Sequence, residues 1–583
     1  MRTFQTFIKE SIPILDWLPN YKRTNLSGDL YAGLIVGIML IPQGMAYAML
    51  AGLDPIHGLY AATIPLVLYA FFGSSRQLAV GPVAMDSMLT AASIIILKPE
   101  NPQMYLVYAI TLAFLVGVIQ FGLGILRFGF VVNFLSHPVI NGFTSAAAVL
   151  IGLSQVPHLF GIEFAQSILI QEIIYNIGQQ IINIHWITLF IGLIGISILF
   201  IGKKLTPTLP ISLIVVALSI IIVQLFNLAD NGVQVIGSIP SGLPTLSIPL
   251  FELNTWITMI PFALTIAFVG FAESYTIAKT VNRQHKDYKL NANQELIGLG
   301  MANFGASFFQ GFPVTGGFSR TAVNNQSGAK TGLASLVSAA LIIITLLYFT
   351  ELFYHLPKTI LAAVILVAVS SLIDTKTPLS LWKKDRMDFV MLISTFFITL
   401  TLGIQYGIIL GMSLSLIAVI YSASRPHMAT LGRVPGTNYF KNISRFPNLE
   451  NRPDLLVLRI DGPIYFANLN YIKERIDKLM EEKGDALKTV VLNFESITSI
   501  DSSGAKELEE WIKALQYKQI NTCITGAKGP VRDTLHKWGI VSCVGQNHVF
   551  NDDATAVDYF DHKIDANQLS EMQKYSLQQS KDD

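Results

Sequence analysis

The sequence predicts an α-helical membrane protein with fourteen transmembrane segments, followed by a small cytoplasmic α/β domain. Only 14% of the 583 residues are charged, and the mean hydropathy is +0.51, which excludes an ordinary soluble globular protein. Apolar runs of roughly 20 residues, long enough to cross a bilayer, recur from about residue 30 to 424 and then stop. From Arg425 onward the sequence is charged and alternating, so we expect a domain boundary near 425–450.

The chain is expected to divide into five parts. These are a cytoplasmic amino-terminal segment (1–29), a transmembrane domain (30–424), a linker (425–450), the α/β domain (451–565) and a polar carboxy-terminal tail (566–583). The expected membrane segments are 30–50, 57–72, 83–97, 104–124, 131–153, 184–202, 208–226, 254–279, 292–308, 318–327, 331–349, 357–373, 388–404 and 406–424.

Lysine and arginine favour one of the two sets of loops that these segments create. That set contains Arg76, Arg127, Lys203, Lys204, Arg283, Lys286, Lys289, Lys330, Lys376, Lys383, Lys384 and Arg386. The opposite set holds little beyond Lys98 and Lys358. By the positive-inside rule the first set is cytoplasmic. We therefore expect an integral protein of the plasma (inner) membrane with both termini in the cytoplasm.

Two of the predicted segments are short for a bilayer. The third begins at Gly81-Pro82, and the tenth follows Gly316-Gly317 and soon reaches polar Asn324. Both are third of seven in their half of the membrane region. Short segments interrupted by Gly or Pro at corresponding positions indicate a transporter binding site built from inverted repeats. The alternative is a pair of kinked, packed helices.

Arg320 lies on the tenth segment and points to an anion site. A cation is costly in lipid and usually faces the bundle interior or a water-filled path. The amino end of each half-helix carries about +0.5 of an elementary charge and free N–H groups, which favour an anion. The guanidinium adds a fork of donors suited to oxyanions, and Ser319 and Thr321 offer hydroxyl donors. The alternative is a snorkelling or structural arginine.

Three other polar residues lie in apolar surroundings. Gln43 follows Pro42, and its amide could bond a substrate oxygen or satisfy the carbonyl that the proline frees. For Glu273, burial and a nearby cation act in opposite directions on proton affinity, which suits a proton-coupling group; the alternative is a structural ion pair with Arg320. Asp86 falls in the first turn of the third segment, where it would repel a bound anion. Capping, pairing with Arg320 and protonation during transport all remain open for Asp86.

The region after residue 455 alternates strands and helices. Strands are expected at 455–460, 464–467, 489–494 and 521–525, and helices at 469–483 and 504–517. This order predicts a small α/β domain with a mixed sheet.

Several motifs resemble the sulfate permease (SulP) family, also called solute carrier family 26. DPIHGLYAA (54–62), FGSS (72–75) and Gly81-Pro82 resemble its first signature, and NQELIG (293–298) and TGGFSRTAVN (315–324) its second-half signature. The resemblance covers essentially the whole chain. It implies a seven-plus-seven inverted repeat with core and gate domains, usually dimeric, and an elevator-like movement. It also implies an anion held between the third and tenth helices by Gln43, Val83, Ala84, Phe318, Ser319 and Arg320, with Glu273 as the coupling carboxylate.

The resemblance favours sulfate transport with proton symport, because the sequence around Arg320 is most similar to the sulfate–proton symporters of the family. The sodium-coupled branch carries an aspartate with a hydroxyl residue one turn later, and Glu273 and Ile277 stand at those positions here. Asp86 departs from the apolar residue that the family pattern would place there. A bicarbonate or dicarboxylate carrier, an uncoupled exchanger or channel, and an anion-binding sensor are the alternatives.

No metal-ligand cluster, phosphate loop or nucleophile motif stands out in the sequence. We therefore expect neither an enzyme nor a cofactor, metal ion or nucleic-acid partner. The expected partners are a small inorganic anion, a proton, the lipid bilayer and a second copy of the chain.

The carboxy-terminal region resembles the STAS domain, which is similar to bacterial anti-sigma-factor antagonists. Those proteins are phosphorylated in the segment that corresponds to DSSG (501–504), so Ser502 and Ser503 are candidate phosphosites. A phosphate would add a charge of about −1.5 to −2 at a helix start. The plainer interpretation, which we favour, is that Asp501 and Ser502 cap a helix.

Overall fold

The computed structural model describes residues 12–130, 136–162, 169–205, 210–285, 287–564 and 568–569. The chain divides into two compact units between Ser415 and Leu416, within the last apolar helix.

The first unit is helical, with two very short strands. Its helices are α1 (Ile14–Trp17), α2 (Leu26–Leu50), α3 (Pro55–Tyr60), α4 (Ile64–Phe72), α5 (Ala84–Ile96), α6 (Pro102–Ile125), α7 (His137–Ser154), α8 (Val156–Phe160), α9 (Ile170–Gln180), α10 (Trp186–Leu205), α11 (Ile211–Leu225), α12 (Leu253–Asn282), α13 (Ala292–Phe308), α14 (Phe318–Gln326), α15 (Leu333–Tyr348), α16 (Lys358–Ser370), α17 (Lys376–Lys384), α18 (Arg386–Leu402) and α19 (Ile404–Ser424). The strands are β1 (Val80–Gly81) and β2 (Thr315–Gly316).

Each of the fourteen predicted segments corresponds to helix in this unit. The second is broken between α3 and α4, and the predicted starts at 131 and 208 lie outside the described residues. Among the described residues, six helical stretches are long and apolar enough to cross a membrane by length and composition. The half-helices α5 and α14 are shorter, as predicted.

Several helices begin at a residue whose side chain caps them. Asn101 accepts a hydrogen bond from the N–H of Met104 and is followed by Pro102, which suits the first helical position. Asn291 and Asp385 cap α13 and α18 in the same way. The starts of these helices therefore follow from local sequence.

The helices pack in two groups that each draw on both halves of the chain. In one group α2 packs on α15, and α13 packs on α4 and α6; in the other α7 packs on α18, and α10 on α16. The α2–α15 crossing is close, since a Cβ on Gly33 would lie 2.5 Å from the carbonyl oxygen of Ala334. Glycine is therefore required at that crossing.

Four helices of this unit were not predicted from the sequence: the single turn α1, which precedes the first predicted span, and α8, α9 and α17. Polar residues interrupt α9 and α17, so neither resembles a membrane span. α8, α9 and α17 lie between predicted spans, in stretches that contain no apolar run long enough to predict a membrane helix.

The second unit is an α/β domain with a six-stranded sheet. Its elements are β3 (His427–Arg433), β4 (Phe440–Asn442), β5 (Leu455–Asp461), α20 (Leu469–Lys483), β6 (Thr489–Asn493), α21 (Ser502–Tyr517), β7 (Asn521–Thr525), α22 (Gly529–Lys537), α23 (Ile540–Val544), β8 (Val549–Phe550) and α24 (Asp553–Phe560). The strand order is β4-β3-β5-β6-β7-β8. β3 is antiparallel to both neighbours and the remaining pairs are parallel, so the predicted mixed sheet is present.

Two sequence expectations in this region need correction. Residues 425–450, expected to be a linker, contain β3 and β4 of the sheet. Residues 464–467 are not a strand, since only Ile464 pairs, as an isolated bridge with Ile500. The cause is local: the side chain of Asn468 bonds to the N–H of Tyr465 and to the carbonyl of Pro463, which turns the chain. The expected tail at 566–583 lies largely outside the described residues.

Candidate anion-binding site

The two half-helices start from a single short ribbon. β1 and β2 pair antiparallel, with Val80 opposite Gly316 and Gly81 opposite Thr315. α5 and α14 begin within three residues of this ribbon, so their amino ends leave the same place. The sequence did not predict the ribbon, because a two-residue strand has no periodicity to detect.

Further hydrogen bonds tie α14 to the chain before α5. The N–H of Gly317 donates to the carbonyl of Ala79 at 3.0 Å, and the N–H of Ala79 donates to Oγ1 of Thr321 at 3.0 Å. Nδ2 of Asn324 donates to the carbonyl of Gln77 at 2.8 Å. Thr321, which the sequence suggested as an anion donor, is therefore turned towards Ala79.

A chain of hydroxyl groups fixes the ribbon to α12. The N–H of Gly316 donates to Oγ of Ser274 at 2.8 Å, and Oγ1 of Thr315 donates to the carbonyl of Gly270 at 2.8 Å. The two hydroxyl oxygens lie 2.7 Å apart, so the Ser274 hydroxyl donates to that of Thr315. This clamp sets the position of α12, which carries Glu273, relative to both half-helices.

Arg320 lies at the start of α14 and is 2% exposed. Its Nη1 donates to the carbonyl of Pro82 at 2.8 Å, whereas its Nε and Nη2 are buried without a hydrogen-bond partner. The guanidinium packs over Gly317, where an added Cβ would lie 2.7 Å from Cζ and Nη2. Arg320 thus bridges from one half-helix to the start of the other and keeps two donors available.

Neither half-helix has a side-chain cap at its amino end. The N-cap residues are Val83 for α5 and Gly317 for α14. The first-turn N–H groups of a helix have no partner within their own helix. The two amino ends and Arg320 together form a region of positive potential.

The remaining predicted contacts differ in exposure. Val83, Ala84 and Gln43 are buried, whereas Phe318 is 58% exposed and Ser319 is also exposed. A cavity of about 470 Å³ is lined by Phe318, Glu273 and Met85 on one side. Gln43, Val83, Ala84, Ser319 and Arg320 are not among its lining residues.

The opposite wall of this cavity comes from the second group of helices. It includes His137, Asn141 and Thr144 of α7 and Asp374 after α16. Nδ2 of Asn141 lies 3.4 Å from Oδ2 of Asp374. The sequence did not indicate these residues, because they become neighbours only through the packing of distant segments.

The two acidic candidates do not pair with Arg320. Oε2 of Glu273 is buried without a hydrogen-bond partner, and Asp86 is fully buried with neither carboxyl oxygen partnered. No ion pair within 4.0 Å joins either residue to Arg320, all three lying in described parts of the chain. The interpretation of Glu273 as a structural ion-pair partner of Arg320 is therefore wrong. For Asp86, the interpretations as a partner of Arg320 and as a helix cap are both wrong.

In the α/β domain, Ser502 and Ser503 are exposed at the start of α21. Asp501 is the N-cap residue: its carboxylate accepts from the N–H of Gly504 at 2.7 Å and from the N–H of Phe466 at 3.0 Å. The DSSG segment thus has a structural role in starting the helix.

The fold and the site define a membrane-embedded anion transporter with an appended α/β domain. The chain belongs to the sulfate permease family, whose sequence pattern matches residues 26–395, while that of the STAS domain matches residues 446–556. The family match confirms both the resemblance and the fold class that were predicted from the sequence. The family is one of transporters and not of enzymes.

Individual relatives show the same relationship. The chain is 38% identical to Sulfate transporter 4.1, chloroplastic, of Arabidopsis thaliana, over 93% of this chain and 82% of that protein. It is 33% identical to High affinity sulfate transporter 2 of Stylosanthes hamata, over 97% and 88%. The structure of the murine Solute Carrier 26 family member A9 anion transporter in the inward-facing state matches with a TM-score of 0.90 and 27% identity, over 96% of each chain.

Proposed function

We propose that the protein is a secondary active transporter of an inorganic oxyanion, sulfate, coupled to proton symport. The observation that carries the proposal is the guanidinium of Arg320, buried between two uncapped half-helix ends with Nε and Nη2 unpartnered. Two adjacent donors on a fixed plane suit a tetrahedral oxyanion. The names of the relatives above support sulfate in particular.

The proposed site residues are those that the motifs indicated. Gln43, Val83, Ala84, Phe318, Ser319 and Arg320 contact the anion, with the half-helices supplying N–H donors. Glu273 is the proton-coupling group, because it lies on the cavity wall and is not held in an ion pair with Arg320. A carboxyl that faces a cavity and has a free oxygen can gain and lose a proton as water reaches it.

The proposed movement is of the elevator type. The site residues lie at or on α2, α5, α12 and α14, which pack on one another and, through α6, on the first helix group. The far wall of the cavity belongs to the second group. A displacement of the first group against the second would carry the anion across without dismantling its site. The homodimer, the plasma (inner) membrane and cytoplasmic termini remain parts of the proposal, as do the predicted domain boundaries other than the linker at 425–450. Ser502 and Ser503 remain candidate phosphosites, and helix capping is the interpretation that we favour for their segment.

The test is uptake of radiolabelled sulfate into proteoliposomes with an imposed inward proton gradient. We expect uptake that the gradient drives and that Glu273→Gln uncouples from it. Glu252→Gln is the matched control, since Glu252 is an exposed carboxylate at the start of the same helix.

Other outcomes would favour the alternatives. Stronger competition by bicarbonate or dicarboxylates than by sulfate would change the substrate. Uptake of sulfate that is indifferent to the proton gradient in the wild type would indicate an exchanger or a channel. Sulfate binding without any flux would indicate a sensor.

A further inference from the structure

We propose that Asp86 is a second proton-binding carboxyl of the transport site, so that each sulfate moves with two protons, one on Glu273 and one on Asp86. The inference rests on the proposed sulfate–proton symport and adds to it a stoichiometry and the residue responsible.

Asp86 differs from the other deeply buried carboxylates of the first unit. Glu295 is 0% exposed and accepts four hydrogen bonds, from the N–H and hydroxyl of Ser74, the N–H of Ser75 and the hydroxyl of Tyr69. Asp29 is also 0% exposed and also accepts four, from the N–H groups of residues 330 and 331 and from the hydroxyls of Thr331 and Tyr21. Each of these carboxylates holds two segments together.

Asp86 is 0% exposed as well, yet neither of its carboxyl oxygens has a partner. It holds no segments together. A buried ionised carboxylate that receives no hydrogen bonds is very costly, and the cost falls sharply once a proton neutralises the group. The surroundings of Asp86 therefore favour a bound proton and offer no structural reason for the carboxyl.

The unpartnered polar atoms of this protein concentrate at the site. Asp86, Glu273 and Arg320 supply five of the ten buried side-chain nitrogen and oxygen atoms that lack a hydrogen-bond partner in the described residues. Such atoms are rare in folded proteins and each calls for a reason. Their concentration here fits groups whose partners change during a transport cycle.

Asp86 and Glu273 are close enough to influence one another. A Cβ on Gly270, one turn before Glu273 on the same face of α12, would lie 3.6 Å from Oδ2 of Asp86. Two neighbouring carboxyls in a poorly hydrated place do not ionise together readily, so a dianion bound near them favours a proton on each. Once the anion has left and water reaches the site on the inner face, the uncompensated charge of Arg320 favours the ionised carboxyls, and both protons can leave there.

The other titratable groups around α5 leave this conclusion unchanged. α5 packs on α2, α6, α7 and α12. Tyr47 of α2 is a buried phenol, which is uncharged near neutral pH. Tyr105 of α6 donates its hydroxyl to the carbonyl of Ala51, and His137 of α7 lies on the cavity wall. Arg320 of α14 is the cation of the site and forms no ion pair with Asp86.

The stoichiometry has a direct electrical consequence. A sulfate dianion with two protons carries no net charge, whereas with one proton it carries one negative charge inwards. A membrane potential acts on transport only where net charge moves. Asp86 therefore decides whether uptake responds to the potential.

The experiment uses the full chain in proteoliposomes with the potential clamped by potassium and valinomycin. With the potential at zero, we expect a tenfold inward proton gradient to sustain a sulfate concentration inside the wild-type liposomes about 100-fold above that outside. A single coupled proton would sustain an inside-to-outside ratio of about tenfold. We also expect wild-type uptake to be indifferent to an inside-negative potential. Asp86→Asn, which has the shape of the protonated side chain, should give the tenfold ratio and be slowed by that potential.

Ser93→Ala is the matched control, because Ser93 is buried on the same helix and its hydroxyl bonds only to the carbonyl of Thr90. It should keep the wild-type ratio. If Asp86→Asn yields no folded protein, Asp86→Ser replaces it, and the wild-type ratio decides the stoichiometry by itself.

Three different results would contradict the stoichiometry, the role of Asp86 and the proposed function, respectively. A wild-type ratio of about tenfold, with uptake sensitive to potential, would overturn the two-proton inference and leave proton symport standing. A two-proton ratio unchanged in the Asp86 variant would remove Asp86 from the assignment. Wild-type uptake that no proton gradient drives would overturn the proposed function itself.

Discussion

Replacing Arg320 tests the proposed anion site most directly. Arg320→Ala removes a buried guanidinium whose Nε and Nη2 have no partner within the protein. If both donate to the anion, the loss is two charge-assisted hydrogen bonds at about 1.5–3 kcal/mol each. The sum of about 3–6 kcal/mol corresponds to a rise in the sulfate Kd of about 150- to 20,000-fold. Transport at micromolar sulfate should then be abolished.

Lysine separates charge from geometry at the same position. Arg320→Lys keeps a positive charge and loses the planar fork, so one of the two bonds to the anion is lost. We expect a Kd about 10- to 100-fold above that of the wild type, with measurable residual transport. The order wild type, lysine, alanine is therefore part of the prediction.

The assay pairs sulfate binding in detergent with initial uptake rates in proteoliposomes. Arg283→Ala is the matched control, since Arg283 is exposed just after α12. Arg320 buries a charge with a single acceptor, the carbonyl of Pro82. Its truncation therefore removes a desolvation cost along with one bond, and the alanine variant should unfold at a temperature close to that of the wild type. A folded Arg320→Ala protein that binds and transports sulfate as the wild type does would refute the site.

Two further predictions concern neighbouring geometry and the α/β domain. Gly317→Ala would place a methyl group 2.7 Å from Cζ of Arg320 and displace the guanidinium. Overpacking of this kind costs about 1–3 kcal/mol, so we expect sulfate binding to weaken by about tenfold. Gly122→Ala is the control, because an added Cβ at Gly122 would have nothing within 4 Å. The hydrogen bond from Arg433 holds the pKa of Asp558 below its usual 3.8, so it stabilises the domain above that pH and the stabilisation is lost on further acidification. The hydrogen-exchange protection factors of the β5–β7 amides should fall below about pH 4, and less steeply in Asp558→Asn.

The membrane helices could be predicted because apolar length is written directly in the sequence. The half-helices were also visible, since glycine or proline opens each of them and their lengths fall short. Local capping signals account for the starts of α6 and α13. Arg320 was conspicuous because a charge in an apolar run has few tolerable positions.

The rest depends on contacts between distant segments. The pairing of Val80 with Gly316 joins residues that no local pattern connects. No local pattern predicts the opposite wall of the cavity either, since its residues come from distant segments. The lack of hydrogen-bond partners around Asp86 likewise depends on how α5 packs against α12. β3 and β4 were missed for a local reason: β3 mixes polar and apolar residues, and β4 has only three residues, so neither has a clear strand pattern.

The ribbon gives the two half-helices a shared position, and this constrains how the transporter can work. Bonds from Gly317 to Ala79 and from Thr315 to Gly270 tie α5, α14 and α12 into one piece. Arg320 and the two helix ends then keep their geometry while the first helix group moves. The difference in anion affinity between the two membrane faces must therefore come from charge, and the carboxyls of Glu273 and Asp86 are the groups whose charge can change. Proton binding and anion binding are thus coupled through electrostatics within a rigid site, so a variant that loosens the clamp, such as Ser274→Ala, should weaken sulfate binding without altering the number of protons carried.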